Sequence, residues 1–183
     1  MSTALHVYGA AATSGMADLL VWSSAPAADD YDVFLRNVAD AVQALRPDLA
    51  LADVLWGYSR ESQYTAKKSP REMNPNSEDR SKFLSVYPFT KTHEWYQLSA
   101  ADRQEVMNDH IAIGKRHGNV RQLLLYSYGL QDQDFVVAYE YDDLVAYSQL
   151  VGELRSSLGR PFTECDTPIY TGVYLRSHIG ATS

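Results

Sequence analysis

The chain has 183 residues, 45% hydrophobic and 21% charged, which describes an ordinary folded protein and excludes a disordered one. Mean hydropathy is -0.31, and no apolar run approaches the roughly 20 residues needed to cross a bilayer, so a membrane span is excluded. With 16 basic against 23 acidic residues the net charge is -7, which argues against binding nucleic acid through a broad positive surface.

Ala17 to Ser23 is a compact apolar run and reads as a strand. Ala27 to Leu45 carries Val33, Phe34, Val38, Val42 and Leu45 at helical spacing, with Asp29 and Asp30 in the first turn and Arg46-Pro47 as the stop. Leu51 to Tyr58 reads as the next strand. Arg60 to Ser81 is polar, contains Pro70 and Pro75 and lacks periodicity, so it is a long loop, a kind usually kept for function. Phe83 to Pro88 is a strand that the proline ends. Ser99 is an N-cap, with Asp102 three residues on, for a helix that Gly118-Asn119 closes after about His117. Val120 to Tyr128 and Phe135 to Tyr141 are strands joined by a polar hairpin connection, Asp143 to Leu158 is a second amphipathic helix, and Ile169 to Leu175 is a last strand. Strand-helix-strand-strand-helix-strand is the ferredoxin-like order, so an α+β protein with antiparallel sheets covered on one side by helices is expected.

Chemistry concentrates in the second half. His110 has Val106 and Met107 one turn before it and Ile113 and Gly114 one turn after, so its imidazole emerges on an apolar stripe. One reading is a core histidine bonded to a backbone carbonyl. The other is an axial haem ligand, with Gly114 removing a side chain where a flat macrocycle would press on the helix. Gln122 shares a strand face with Val120, Leu124, Tyr126 and Tyr128. Its amide both donates and accepts hydrogen bonds but is a poor base, and a strand-end amide reaching solvent is the plainer alternative. In the run Tyr87 to Tyr96, Tyr87 sits at the strand end with Lys91 and Trp95 following. A lysine there meets carboxylates as a point charge and a tyrosine can be oxidised, whereas core aromatics beside a solvated lysine would look the same. Lys67, Lys68 and Arg71 make a small basic patch in the long loop that is solvated or meets anionic groups. The single Cys165 has no evident base and forms no internal disulfide. The N-terminus shows no secretion signal, which leaves the cytoplasm as the expected location.

Taken in order, Val86-Tyr-Pro-Phe-x-Lys-x-x-x-Trp-Tyr-x-Leu98, Asp102-Arg103, His110-x-x-x-Gly114, Val120-Arg-Gln122 and Gly129-Leu-x-Asp132-x-x-Phe135 resemble the chlorite dismutase family, and within it the coprohaem decarboxylases. The resemblance is good over about Phe83 to Leu175 and weaker from Val7 to Tyr64, where Tyr8 to Trp22 looks like an N-terminal strand pair. It implies one domain over 1–183 of the dimeric α+β barrel type, built of two ferredoxin-like halves. The first, 1–80, is reduced; the second, 81–183, binds haem b or coprohaem. His110 would be the axial iron ligand, Tyr87 the tyrosine oxidised in the reaction, and Lys91 the propionate-binding lysine, with Trp95 and Gly114 also against the porphyrin. Gln122 matches the position that is a distal arginine in chlorite dismutases, and Gly159 stands about where those enzymes carry a glutamate that bonds the proximal histidine. A neutral amide holds an oxyanion near iron less well than a cation does. Losing that glutamate leaves a more neutral imidazole. Both point away from chlorite, the second fitting a haem-binding protein equally, and the amide at Gln122 favours peroxide-dependent decarboxylation of iron coproporphyrin III to haem b, a step of haem biosynthesis. Chlorite dismutation and non-catalytic haem binding are the alternatives. The resemblance further implies a homo-oligomer, a pentamer or a dimer.

Overall fold

The computed structural model describes residues 2–25, 31–45, 48–65 and 69–181. They form two compact units interleaved along the chain, one of residues 1–54, 74–80 and 172–183 and one of residues 55–73 and 81–171.

In the first unit, β1 (Ser2–Gly9) pairs antiparallel with β2 (Leu19–Ser24) from Ala4↔Ser24 to Gly9↔Leu19. On its other edge β1 pairs with the C-terminal part of β7 (Tyr170–Ala181). Period-2 alternation sends Ala4, His6 and Tyr8 inward, and all three are buried. The buried imidazole of His6 is satisfied by Ser177 Oγ at 2.6 Å and the Pro75 carbonyl at 2.7 Å, with Trp22 edge-on to its ring. Helix α1 covers Tyr31–Leu45. Asp29, Asp30 and the Arg46-Pro47 stop lie outside the described residues.

The second unit has the order that the sequence predicts as far as α4, with additions, whereas the predicted last strand, Ile169 to Leu175, falls in β7, most of which belongs to the first unit. After β3 (Phe83–Lys91) come a short helix α2 (His93–Gln97), α3 (Ala100–Arg116), β4 (Arg121–Tyr126), β5 (Phe135–Tyr141), α4 (Leu144–Arg155), a 3-10 turn (Arg160–Phe162) and β6 (Thr163–Cys165). Ser99 caps α3 by accepting the Asp102 N–H at 3.1 Å, and Asp143 caps α4 by accepting from Val145 and Ala146. Strand β5 pairs with β4 on one side and β3 on the other, and β6 adds to the end of β3. The registers Ser85↔Tyr139↔Gln122, Tyr87↔Val137↔Leu124 and Phe89↔Phe135↔Tyr126 put these residues on one face. Ile113 of α3 and Leu150 of α4 pack on that face with Val120, Tyr139 and Tyr141 as the core. The opposite face buries Glu140, which pairs with Arg121 at 3.1 Å.

Two expectations are corrected. Leu51 to Tyr58 is not a strand. Leu51 and Val54 are exposed, and Tyr58 meets Tyr126 in an isolated bridge, not a ladder. An apolar run becomes a strand only where an unpaired edge meets it. What approaches β4 here is Gly57, whose added Cβ would lie 2.5 Å from the Tyr126 carbonyl oxygen. The second correction is Pro88, which does not end β3. The ladder runs through Pro88↔Val136 and Phe89↔Phe135 to the bond with β6 at Lys91. Proline removes one donor, but its fixed φ is compatible with extended backbone, so a strand tolerates it where that donor is not needed. Tyr87 therefore sits inside the strand and Lys91 closes it.

Candidate functional site

Between the aromatic face of the second unit's sheet and helix α3 lies a cavity of about 1590 Å³. The sheet supplies Tyr87, Phe89, Lys91, Gln122, Leu124, Tyr126 and Tyr139; the helix supplies Arg103, Met107, His110, Ile111 and Gly114; residues of the 59–72 loop line it as well. His110, Tyr87, Lys91, Gln122, Trp95 and Gly114 thus all reach one cavity, as does Arg71. Lys67 and Lys68 lie outside the described residues. Cys165 is exposed on β6 and does not line the cavity.

His110 comes from the middle of α3 and is partly buried. Among the described residues neither ring nitrogen has a hydrogen-bond partner, so it is not a core histidine held by a backbone carbonyl. Burial first, then the cations Lys91 and Arg71, lower its pKa to about 4 against the opposing pull of Asp109. The imidazole is neutral at physiological pH and free to donate a lone pair to a metal. The Asp109 carboxylate is used locally, accepting the Leu158 N–H at 3.0 Å. Among the described residues there is no group of three or more His, Cys, Asp or Glu that would bind a bare ion. A lone neutral histidine on an apolar wall instead suits a metal that brings its own equatorial ligands.

Lys91 ends β3 with its ammonium over the Trp95 ring at 4.2 Å and 5.1 Å from the Phe89 centroid. Burial lowers its pKa to about 8, partly offset by Asp134. Asp134, in the β4–β5 connection, accepts the Lys91 backbone N–H at 2.8 Å and the Tyr96 hydroxyl at 2.6 Å, which fixes the strand end and one side of the rim. Tyr87 stacks on Tyr139 at 6.3 Å, and burial first and Tyr139 second raise its pKa well above the ordinary tyrosine value. Gln122 is half-buried. Its backbone is bracketed by the loop, donating to Arg71 O and accepting from Met73 N, both at 2.9 Å, while its side-chain amide has no partner among the described residues. The loop therefore covers the edge of β4, and Gln122 is not a solvent-facing strand-end amide.

The gap left by Gly114 is filled by protein. A Cβ there would lie 2.6 Å from a guanidinium nitrogen of Arg71, which donates to the carbonyls of Val120 at 3.3 Å and His117 at 3.5 Å. Arg71 thereby ties the loop to the C-terminal end of α3, where a cation is favoured. Sequence reasoning also missed Tyr139 and Arg60. Tyr139 was findable from period 2 in β5. Arg60, 3.9 Å over the Tyr126 ring, carries no sequence signal, because long-range loop placement brings it there.

Comparison with known proteins places the chain. The family model for chlorite dismutase matches residues 2–175. A coproheme decarboxylase from Mycolicibacterium smegmatis is 25% identical over 176 residues, covering 91% of this chain and 71% of the relative. One from Staphylococcus saprophyticus is 28% identical over 156 residues, covering 78% of this chain and 62% of the relative. Among solved structures, a chlorite dismutase from Candidatus Nitrospira defluvii in complex with imidazole superposes with a TM-score of 0.78 at 22% identity, covering 95% of this chain and 75% of that one. A heme-binding protein from Thermus thermophilus gives 0.79 at 22%, covering 95% and 73%. At that identity the two structures establish the shared fold. No helix among the described residues is long and apolar enough to cross a membrane.

Proposed function

The chain belongs to the chlorite dismutase family, and we propose that it oxidatively decarboxylates two propionates of iron coproporphyrin III, using hydrogen peroxide, to give haem b. The observation that carries this reading is that Tyr87 and Lys91, on one strand, share a cavity with His110 and with a neutral amide, Gln122. The residues present fit an iron porphyrin. An unpartnered neutral imidazole stands on one wall, aromatic and aliphatic side chains make most of the lining, and cationic Lys91, Arg60 and Arg103 can meet carboxylates. Bound there, an iron porphyrin supplies one-electron oxidising equivalents when it reacts with peroxide.

The chain's residues do the rest. His110 holds the iron through a nitrogen that protonation does not contest until the pH nears 4. The Lys91 ammonium, held over Trp95, binds a propionate by a charge-assisted bond typically worth ~1.5–3 kcal/mol. Tyr87 would give up its phenolic hydrogen to one oxidising equivalent of peroxide and take one from the propionate β-carbon; loss of carbon dioxide and of a second electron, taken by the other equivalent, would leave the vinyl group, one peroxide going to water for each propionate. Gln122 offers a donor and an acceptor without charge, so it orients peroxide but does not hold an oxyanion as a cation would.

Purified protein given iron coproporphyrin III and peroxide should convert the porphyrin by a mass loss of two formic-acid equivalents. In the same preparation chlorite should release little dioxygen, and Gln122→Arg should raise that release. Brisk dioxygen from the unmodified chain without porphyrin mass loss would make it a chlorite dismutase, and inactivity in both assays a haem-binding protein.

Lys91 gives the reading a pH dependence. Its folded pKa of about 8 lies below the ordinary lysine value, so its charge is full below that pH and is lost as pH rises through it. Affinity for a carboxylate-bearing porphyrin, followed by quenching of tryptophan fluorescence, should decline above about pH 8. Lys91→Met should bind more weakly at pH 7 and show a flattened profile.

A further inference from the structure

Behind Tyr87 the tyrosines form a continuous stack that leads away from the cavity. Tyr87 lies 6.3 Å from Tyr139, Tyr139 lies 5.5 Å from Tyr147, and Tyr147 stacks on Tyr141 at 4.1 Å with the rings 7° from parallel. The first two line the cavity; Tyr147, on α4, and Tyr141, on β5, do not. Tyr139 and Tyr141 are 3% and 2% exposed, whereas Tyr147 is only half-buried and rides on a helix whose outer face meets solvent. Core packing alone is satisfied by phenylalanine or leucine, without four phenols in succession whose hydroxyls each need a partner. The Tyr141 hydroxyl bonds Ser85 at 2.8 Å, and Ser85 bonds Thr171 at 2.8 Å.

We infer that Tyr139 and Tyr147 form a relay that carries an oxidising equivalent from Tyr87 out to α4 when no propionate is in reach. The inference rests on the proposed peroxide chemistry, which supplies the oxidant. Burial disfavours the phenolate of every ring in the stack, so each loses its electron together with its proton. In the first hop the Tyr139 O–H bond breaks and that of Tyr87 re-forms, one electron and one proton moving inward. In the second, Tyr147 makes good the hydrogen that Tyr139 has lost. At Tyr147 a soluble one-electron reductant such as ascorbate gives the electron and proton that restore the phenol. The relay spares Trp95 and the porphyrin from an unspent oxidant and leaves the productive step at Tyr87 untouched.

The test is to load the chain with iron coproporphyrin III, add excess peroxide without reductant in the presence of a nitroso spin trap, and map adducts by peptide mass. Wild type should carry adducts on the peptide holding Tyr147. Tyr139→Phe, which keeps the ring and its packing, should lose them and retain adducts at Tyr87. Tyr147→Phe should confine them to Tyr87 and Tyr139. Tyr147 adducts undiminished in Tyr139→Phe, or wild-type adducts confined to Tyr87 or found on Trp95, would overturn the relay. Porphyrin mass in the same samples separates the two ideas. Propionate loss without adducts beyond Tyr87 removes the relay and keeps the decarboxylase; adducts along the stack without propionate loss do the reverse.

Discussion

His110→Ala should abolish the histidine-ligated absorption spectrum that forms when iron coproporphyrin III is added to the chain. The imidazole is neutral, has no hydrogen-bond partner among the described residues, and stands on an apolar helical wall of the cavity, so it is available to a metal without breaking any bond of the fold. Alanine removes the nitrogen and leaves α3 its helical propensity, so circular dichroism should be unchanged. Losing an outer-shell partner of a metal site typically costs roughly 10–100-fold in affinity, and losing the ligand itself should cost more than that. The sign of the pH dependence follows from the lowered pKa. Ligation should persist through neutral and mildly acidic pH and fail only toward pH 4, where a proton takes the ring nitrogen. A histidine at its ordinary value would begin to release iron more than two pH units higher. An unchanged spectrum in His110→Ala would remove the iron from this wall.

That wall was legible because helix periodicity is a local property. Val106, Met107, His110, Ile113 and Gly114 share a face by spacing alone, and the helix built from them begins at the cap that Ser99 announces. Strand β5 is legible for a like reason, an apolar and aromatic run from Phe135 to Tyr141 bounded by Asp134 and Asp142. What failed is what depends on partners distant in sequence. Leu51 to Tyr58 has strand composition, yet the ladder that it needs is met only at Tyr58. Pro88 looks like a stop because its missing donor is visible in the sequence, whereas the neighbours that make this donor dispensable are not. Gly114 reads as room for a ligand, but the room is taken by Arg71, delivered from more than forty residues away by a loop without periodicity. Tyr139 is intermediate. Its face is set by period 2, but its partnership with Tyr87 and Gln122 depends on the registers of two strand pairs.

Tyr87→Phe should fold, bind iron coproporphyrin III, and leave its propionates intact after peroxide. A propionate β-carbon–hydrogen bond is strong, and the titratable groups around the cavity cannot break it as bases. His110 is far too weak a base at about 4, and Lys91 at about 8 is mostly cationic at neutral pH. Removal of a hydrogen atom is the remaining route, and it needs an oxidised group beside the carboxylate that Lys91 would hold. Tyr87 is two strand positions from Phe89, so both point to one side of β3; Lys91 follows past a register shift after Thr90, and all three line the cavity. Its place inside the strand, not at a frayed end, holds the ring fixed between the ladder to β5 and the stack on Tyr139. Phenylalanine keeps that ring and its contacts but has no phenolic hydrogen to give up, so the loss should fall on the chemical step and not on binding. A drop of about 10³-fold in the rate of first propionate loss corresponds to ~4 kcal/mol of barrier, the scale expected when a reacting group is removed. The check is porphyrin mass against time at stoichiometric peroxide, beside a binding titration that should match wild type. Haem b formed by Tyr87→Phe at the wild-type rate would move the reacting hydrogen to another tyrosine, with Tyr139, its stacked neighbour in the same cavity, the next to replace.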